Sequence, residues 1–310
     1  MSHKGRIRAV ASDEAHCALN AGRVNVTRGD VVAGERRELM KNGRLRAWWV
    51  IALLLTAGAA LVWAFVVAPA ALLSGRYGKY NDLATLQGTL ASSLVEFWQG
   101  GTSTFPSSLA ELVDYWFQWH AIKVAICAPM AVVLTLLAAA LWSRYLRAGR
   151  RSAAWYLVGG ACSTVSVALA VGLVVLNIQA TSAPLVALLP LLPADAGMGP
   201  AELVREALSN GSNAQEHPAA LSVLLDEVAR YNWILALVSS VLTLACIAAS
   251  IVSWRRCAKA GANAPRVRKM YITLGIVTAL AAGALLFLSA VSTRSALNPS
   301  DALMGLPGIE

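Results

Sequence analysis

Five stretches of this chain, 47–73, 121–142, 155–177, 232–254 and 271–292, run for more than twenty residues without an acid. Only Lys123, at the edge of the second, brings a base into any of them. The hydrocarbon core of a bilayer, about 30 Å thick, takes about 20 apolar helical residues to cross. A soluble protein has no place to bury five such runs, and a composition of 57% hydrophobic and 14% charged residues is poor in charge for one. The expected fold class is therefore all-α: a polytopic integral membrane protein of about five transmembrane helices.

Charge sets the expected orientation. The tail up to Arg46 holds ten Lys or Arg, the connector 143–154 holds four and the connector 255–270 holds six; neither connector has an acid. All other segments together hold six basic residues against twelve acids. Short Lys/Arg-rich connectors stay in the cytoplasm, which predicts N-in and C-out. The layout that follows has three parts. A basic, mostly disordered cytoplasmic tail covers 1–46. A bundle covers 47–292, with helical outer loops at 74–120 and 178–231. An extracytoplasmic C-terminal tail covers 293–310. The net charge of +9 is then a topology signal and a contact for anionic lipid headgroups, with no nucleic acid partner. Arg outnumbers Lys 20 to 6 and Ala is abundant, which points to a GC-rich bacterial genome and a bacterial cytoplasmic membrane.

One segment before the first apolar run carries an alternative. Glu35-Arg36-Arg37-Glu38-Leu39-Met40-Lys41 looks like a twin-arginine export signal, and Ala68-Pro69-Ala70 resembles a cleavage site. The intervening run is longer and more apolar than such signals carry, which favours an N-in flank.

The outer loops read as helices. Leu83, Leu86, Leu90, Leu94 and Phe97 recur at helical spacing, and Gly100-Gly101 and Pro106 end that helix. Ser108-Leu-Ala-Glu111 fits a capping box for a rod running from about Leu109 to Trp142, which Pro129 inside it is expected to kink. The apolar stretch Pro184 to Pro193 is too broken to span and is expected to rest on the membrane surface. A short helix is expected at 200–209, and another from near Pro218 into the fourth span.

An internal repeat is visible at an offset of 112. Leu109, Leu112, Asp114, Ile122, Trp142, Arg144, Ala148 and Gly149 recur as Leu221, Leu224, Asp226, Ile234, Trp254, Arg256, Ala260 and Gly261. Pro184, Ala187, Leu188 and Leu191 recur as Pro299, Ala302, Leu303 and Leu306. Both echoes fit two parallel two-helix units plus an extra half unit.

Small residues recur every fourth position in three spans: Ala52, Thr56 and Ala60; Gly160, Thr164, Ala168 and Gly172; Gly275, Ala279 and Gly283. Such stripes let helices approach closely, within the chain, in a homo-oligomer or with a membrane partner. The polar constellation sits at the outer border: Asp114 and His120 on one helix, Asp226 and Asn232 on its repeat. Six helical residues turn about 240°, so Asp114 and His120 can meet only across helices. Together the four could bind a polar ligand or cation.

No metal or cofactor is expected, because the sequence carries no His-x-x-x-His, no Cys-x-x-Cys and no Gly-rich phosphate loop. Proton-coupled carriers need charged groups at the midplane, and these spans offer mainly Ser, Thr and Pro129. The favoured reading is a non-catalytic membrane protein that binds a partner or lipid. A carrier or channel for small or lipophilic molecules comes second, and a membrane enzyme using the Asp/His cluster third.

The topology is testable with a membrane-impermeant thiol reagent on intact cells. Cys257 stays unlabelled while a cysteine placed at Ser103 is labelled; labelling of Cys257 from the medium overturns the layout.

Overall fold

The computed structural model describes residues 48–192, Leu203, Glu206, 219–261 and 264–305. Residues 1–53 and 54–310 form two compact units, and of the first only the opening turns of one helix are described. Among the described residues every regular element is helical. Five helices are long and apolar enough to cross a membrane, one for each apolar block, so the chain is a multi-pass membrane protein.

Helix α1 occupies 48–77 and runs into a 3-10 turn, Gly78–Asn81. Helix α2 is Leu83–Gly100. Two long hairpins follow. The first pairs α3, Ser107–Arg147, with α4, Arg150–Ser182. The second pairs α6, Ala219–Lys259, with α7, Pro265–Leu297. Each hairpin ends in a short proline-initiated helix, α5 at Pro184–Leu188 and α8 at Pro299–Met304. The first members of the hairpins have 41 residues each and the second members 33 each.

The largest hydrophobic core lies where α2, α5, α8 and the N-terminal turns of α3 and α6 converge with the end of α1. Leu90, Leu109, Leu188, Leu221 and Leu303 are fully buried there, beside Tyr77, Tyr115, Leu112 and Phe97. We call this assembly the cap. Along the spans themselves many large apolar side chains are exposed, among them Leu53, Val66, Leu169, Leu237, Leu244 and Leu280, as lipid-facing helices require.

Local sequence explains the cap's elements. In α2, Leu86, Leu90, Leu94 and Phe97 form the buried stripe that the helical spacing predicts, while Leu83 stays exposed. Asp82 caps α2: its carboxylate accepts from the Thr85 N–H at 2.8 Å and the Thr85 hydroxyl at 2.6 Å. The Thr85 hydroxyl, and then the N–H, hold the Asp82 carboxyl below its ordinary range. Gly101 ends the helix in the left-handed region at φ 61°, a conformation glycine adopts without strain. Helix α3 runs unbroken through Pro129.

Three local expectations are corrected. The capping box at Ser108 does not form: Ser107 already begins the helix, the Ser108 hydroxyl turns to Glu96 at 3.2 Å, and Glu111 pairs with Lys79 at 2.8 Å. Of the Pro184–Pro193 stretch, expected to rest on the membrane surface, residues 184–192 are described, and Leu185, Val186, Leu188 and Leu189 are buried in the cap core, because a proline-started helical turn points them inward. The fifth span runs past its expected end at 292: α7 continues to Leu297, and within the expected 293–310 tail α8 delivers Leu303 to the same core. The helix expected at 200–209 lies outside the described residues except for Leu203 and Glu206, both helical. The 1–46 segment with its twin-arginine resemblance lies outside them entirely.

Two outcomes check this description. Leu303→Ala costs about 2–5 kcal/mol of stability in denaturant titration, whereas Leu297→Ala, 65% exposed, leaves the midpoint unchanged. Because the Asp82 carboxyl is depressed by its Thr85 bonds, the cap's contribution is present at neutral pH and lost as pH falls through the folded value. The protection factor of the Thr85 amide, its exchange rate relative to the intrinsic rate at the same pH, therefore falls in acid, and Asp82→Ala lowers it at every pH.

Candidate functional site

Polar side chains gather where the cap meets the spans, in two clusters on α3. The first is built on Asp114. The Tyr77 hydroxyl donates to it, Gln118 Nε2 donates at 3.1 Å, and the Arg76 guanidinium lies 3.6 Å away. Gln118 Nε2 also lies 3.2 Å from the Tyr77 oxygen. Tyr77 is itself buried against Tyr80 and Tyr115, with ring centroids 6.4 and 5.6 Å away. Two hydrogen-bond donors and a nearby guanidinium, all at Oδ2, make Asp114 an anchor joining the end of α1 to α3.

The second cluster is built on His120, less than two turns further along α3. His120 Nδ1 lies 2.9 Å from Asn177 Oδ1 on α4. The Asn177 amide nitrogen donates to the Leu173 carbonyl at 2.7 Å, so its oxygen faces the ring and His120 Nδ1 carries the proton. That leaves Nε2 with a lone pair. Both His120 Nε2 and the neighbouring Trp116 Nε1 are buried without a hydrogen-bond partner. The two rings meet edge to face at 5.0 Å, which follows from their spacing of four on one helix face. Below them the Lys123 ammonium sits over Phe65 at 4.9 Å and Trp119 at 5.3 Å, a cation–π clamp between α1 and α3.

The four residues singled out from sequence do not form one hydrogen-bonded ring. Asp114 is held by Tyr77 and Gln118, and His120 by Asn177. The Asn232 amide nitrogen donates to Val228 O of its own helix at 2.9 Å, and Asp226 is exposed. Tyr77, Gln118 and Trp116 belong to the clusters but were not picked out as site residues. Their spacing on α3, 114 with 118 and 116 with 120, was the available signal. Asn177 was visible at the end of its span, but sequence alone did not give its partner.

The expected small-residue stripes divide. Gly160 lies under the Trp142 ring and Gly275 under the Trp254 ring; a Cβ at either would meet the indole at 3.0 Å. Thr164 accepts from Trp142 Nε1 at 3.0 Å, and Ala168 is half-buried. Gly172 and Gly283 have open space where a Cβ would stand. Ala52, Thr56, Ala60 and Ala279 are exposed. Among the described residues no group of three His, Cys, Asp or Glu could hold a metal ion.

No protein-family model matches the chain, and no curated protein or solved structure matches it.

The Asp114 anchor makes a specific prediction. In a double-mutant cycle, Tyr77→Phe and Asp114→Asn show a coupling of about 1 kcal/mol. Additive losses would mean that the hydroxyl and the carboxylate do not act as a pair.

Proposed function

We propose that this chain is a non-catalytic, multi-pass component of the bacterial cytoplasmic membrane that works by binding. In this reading the cap docks a partner protein on the outer side, and the basic connectors rest on anionic headgroups on the inner side. The observation that carries it is the cap itself: a closed core of Leu, Tyr and Phe outside the apolar blocks, presenting a helix with an open face. The outward residues of α2, Thr85, Gly88, Ser92 and Glu96, are exposed, and Gly88 has open space around it. A ridge of small polar residues allows close approach of another backbone with little side-chain entropy to lose.

Charge separates along the molecule in the way this reading needs. The connector end carries Arg147, Arg150, Arg151, Arg255, Arg256, Lys259, Arg268 and Lys269, all exposed. No described acid belongs to that end, and Asp82, Glu96, Glu111, Asp114, Asp226, Glu227 and Asp301 belong to the cap. Cationic clusters beside a membrane attract anionic lipid at about 1 kcal/mol per residue.

The two hairpins are read as copies of one unit. Their members match in length, at offsets of 112 for α3 with α6 and 115 for α4 with α7. The breaks before α5 and α8 share their geometry, φ −140° and ψ 72° at Ala183, φ −128° and ψ 70° at Asn298. Trp142 on Gly160 and Trp254 on Gly275 are the same contact under those offsets.

A second reading rests on His120. A lone pair at Nε2 beside the Trp116 N–H offers one acceptor and one donor to a hydroxyl group, as a carrier for a small polar or lipophilic molecule would use.

The readings separate in one purification from native membranes into lipid nanodiscs. Binding predicts a co-purifying protein that is lost in a Gly88→Arg, Ser92→Arg variant; a particle with neither a second protein nor retained anionic lipid overturns it. Carriage predicts liposome flux abolished by His120→Ala.

A further inference from the structure

We infer that the connector end binds a phospholipid with two phosphates on one headgroup, seated where the two hairpins meet and bridging their basic connectors. This deepens the reading of the connectors given above and rests on it: there they meet a charged surface, here one kind of lipid. Depth is the first support. Every Lys and Arg of 143–154 and 255–270 stands within five residues of the end of an apolar block, and all of them are helical. Five helical residues rise about 8 Å, and the headgroup layer of a bilayer is about 5–8 Å deep on each side. The cations therefore stand level with lipid phosphates rather than out in water. Trp155 and Trp254, both exposed at this end, bring indole rings that settle at the same level.

Helix α7 gathers these cations into one patch. Its Arg266 guanidinium donates to the Ala148 carbonyl, in the turn that carries Arg147, Arg150 and Arg151. Two residues on, the Arg268 carbonyl lies 4.0 Å from the Cys257 thiol, at the end of α6 that carries Arg255, Arg256 and Lys259. Just behind, Met270 and Leu274 of α7 pack against the buried Ala138, Trp142 and Tyr145 of α3, together with Tyr156 and Leu157 of α4. The first turn of α7 thus stands between two cationic groups, one from each connector, on a packed floor.

Two features of the patch set the chemistry of its ligand. Neither connector contains an acid, so their cations find no counter-charge within them. Eight of the ten are Arg, whose planar guanidinium meets phosphate oxygens in pairs. Basic sites between spanning helices at the cytoplasmic side suit polyanionic headgroups for these reasons. A lipid with one phosphate neutralises one cationic group and leaves the other. A lipid with two phosphates on a short glycerol link meets both, and its second contact forms without capturing a second molecule. Bound there, it also ties the hairpins together at the end opposite the cap.

Lipid retention by the full chain in phosphatidylcholine nanodiscs, read by native mass spectrometry, tests this. The probe is cardiolipin, compared with phosphatidylglycerol at equal phosphate. Cardiolipin is retained over phosphatidylglycerol by about tenfold or more. Arg150→Gln and Arg268→Gln, one in each cationic group, each lower cardiolipin retention about fivefold, as a loss of about 1 kcal/mol would. Arg294→Gln, at the cap end, leaves it unchanged. Thermal unfolding separates binding from misfolding: in phosphatidylcholine alone both variants melt with the wild type, and cardiolipin raises the wild-type midpoint more than theirs. Equal retention of the two lipids overturns the two-phosphate site and leaves the broader headgroup contact standing; retention of neither overturns both. Cardiolipin retention that survives Arg150→Gln and Arg268→Gln places the lipid elsewhere and overturns the proposal.

Discussion

A helix of 41 residues rises about 60 Å, about twice the hydrocarbon thickness of a bilayer, and this chain has two of them. About half of α3 and of α6 must therefore leave the lipid. Inside the hydrocarbon, apolar side chains gain nothing by leaving lipid for one another. Outside it, the hydrophobic effect operates at its usual strength. The buried leucines follow that division. They lie at the ends of α3 and α6 that project, with α2, α5 and α8 brought in to cover them. The cap is the part of this chain that folds as a soluble protein does, and the alignment of the spans depends on it.

Within the spans, cohesion comes from other sources. Aromatic rings lie against glycines at the connector end. Hydroxyl groups also bridge helices: Ser250 with the Gly275 carbonyl at 3.2 Å beside the Trp254 ring, and Ser240 with Ser289 at 2.7 Å further up. Each is worth little by itself, because an unfolded helix in lipid also finds partners for such groups. The Arg266 guanidinium reaches the Ala148 carbonyl, tying the start of α7 to the end of α3 at the connector end. So polar and aromatic contacts join the spans at both ends, and a small core of Cys127, Met130 and Ala170 joins α1, α3 and α4 between them.

The spans were legible in the sequence because lipid imposes a length and forbids charge, two properties that survive in composition. The stripe of α2 was legible for a similar reason: a period of 3.6 maps directly onto one buried face. Ser108 shows where the reading failed. A Ser-x-x-Glu pattern satisfies a helix end only if nothing else competes for its side chains, and Glu96 and Lys79 compete from elsewhere in the chain. Pro184 to Pro193 failed likewise, since an apolar stretch carries no label saying whether it meets lipid or Leu109. At the candidate site the sequence supplied Asp114 and His120 but not their partners. Tyr77 and Asn177 reach them from 37 and 57 residues away, and periodicity is silent at such distances.

The polar positions differ between the two hairpins where their packing agrees. Under the offsets that superpose Trp142 on Trp254 and Gly160 on Gly275, His120 falls on Asn232, Asn177 on Ser292, and Lys123 on Leu235. The Asn232 amide turns back to its own helix, so the second hairpin has no counterpart of the His120–Asn177 bond. The Trp–Gly contacts found in both hairpins hold each pair of helices together. A buried imidazole with an open lone pair, present in one half alone, adds desolvation cost to that half without serving the scaffold.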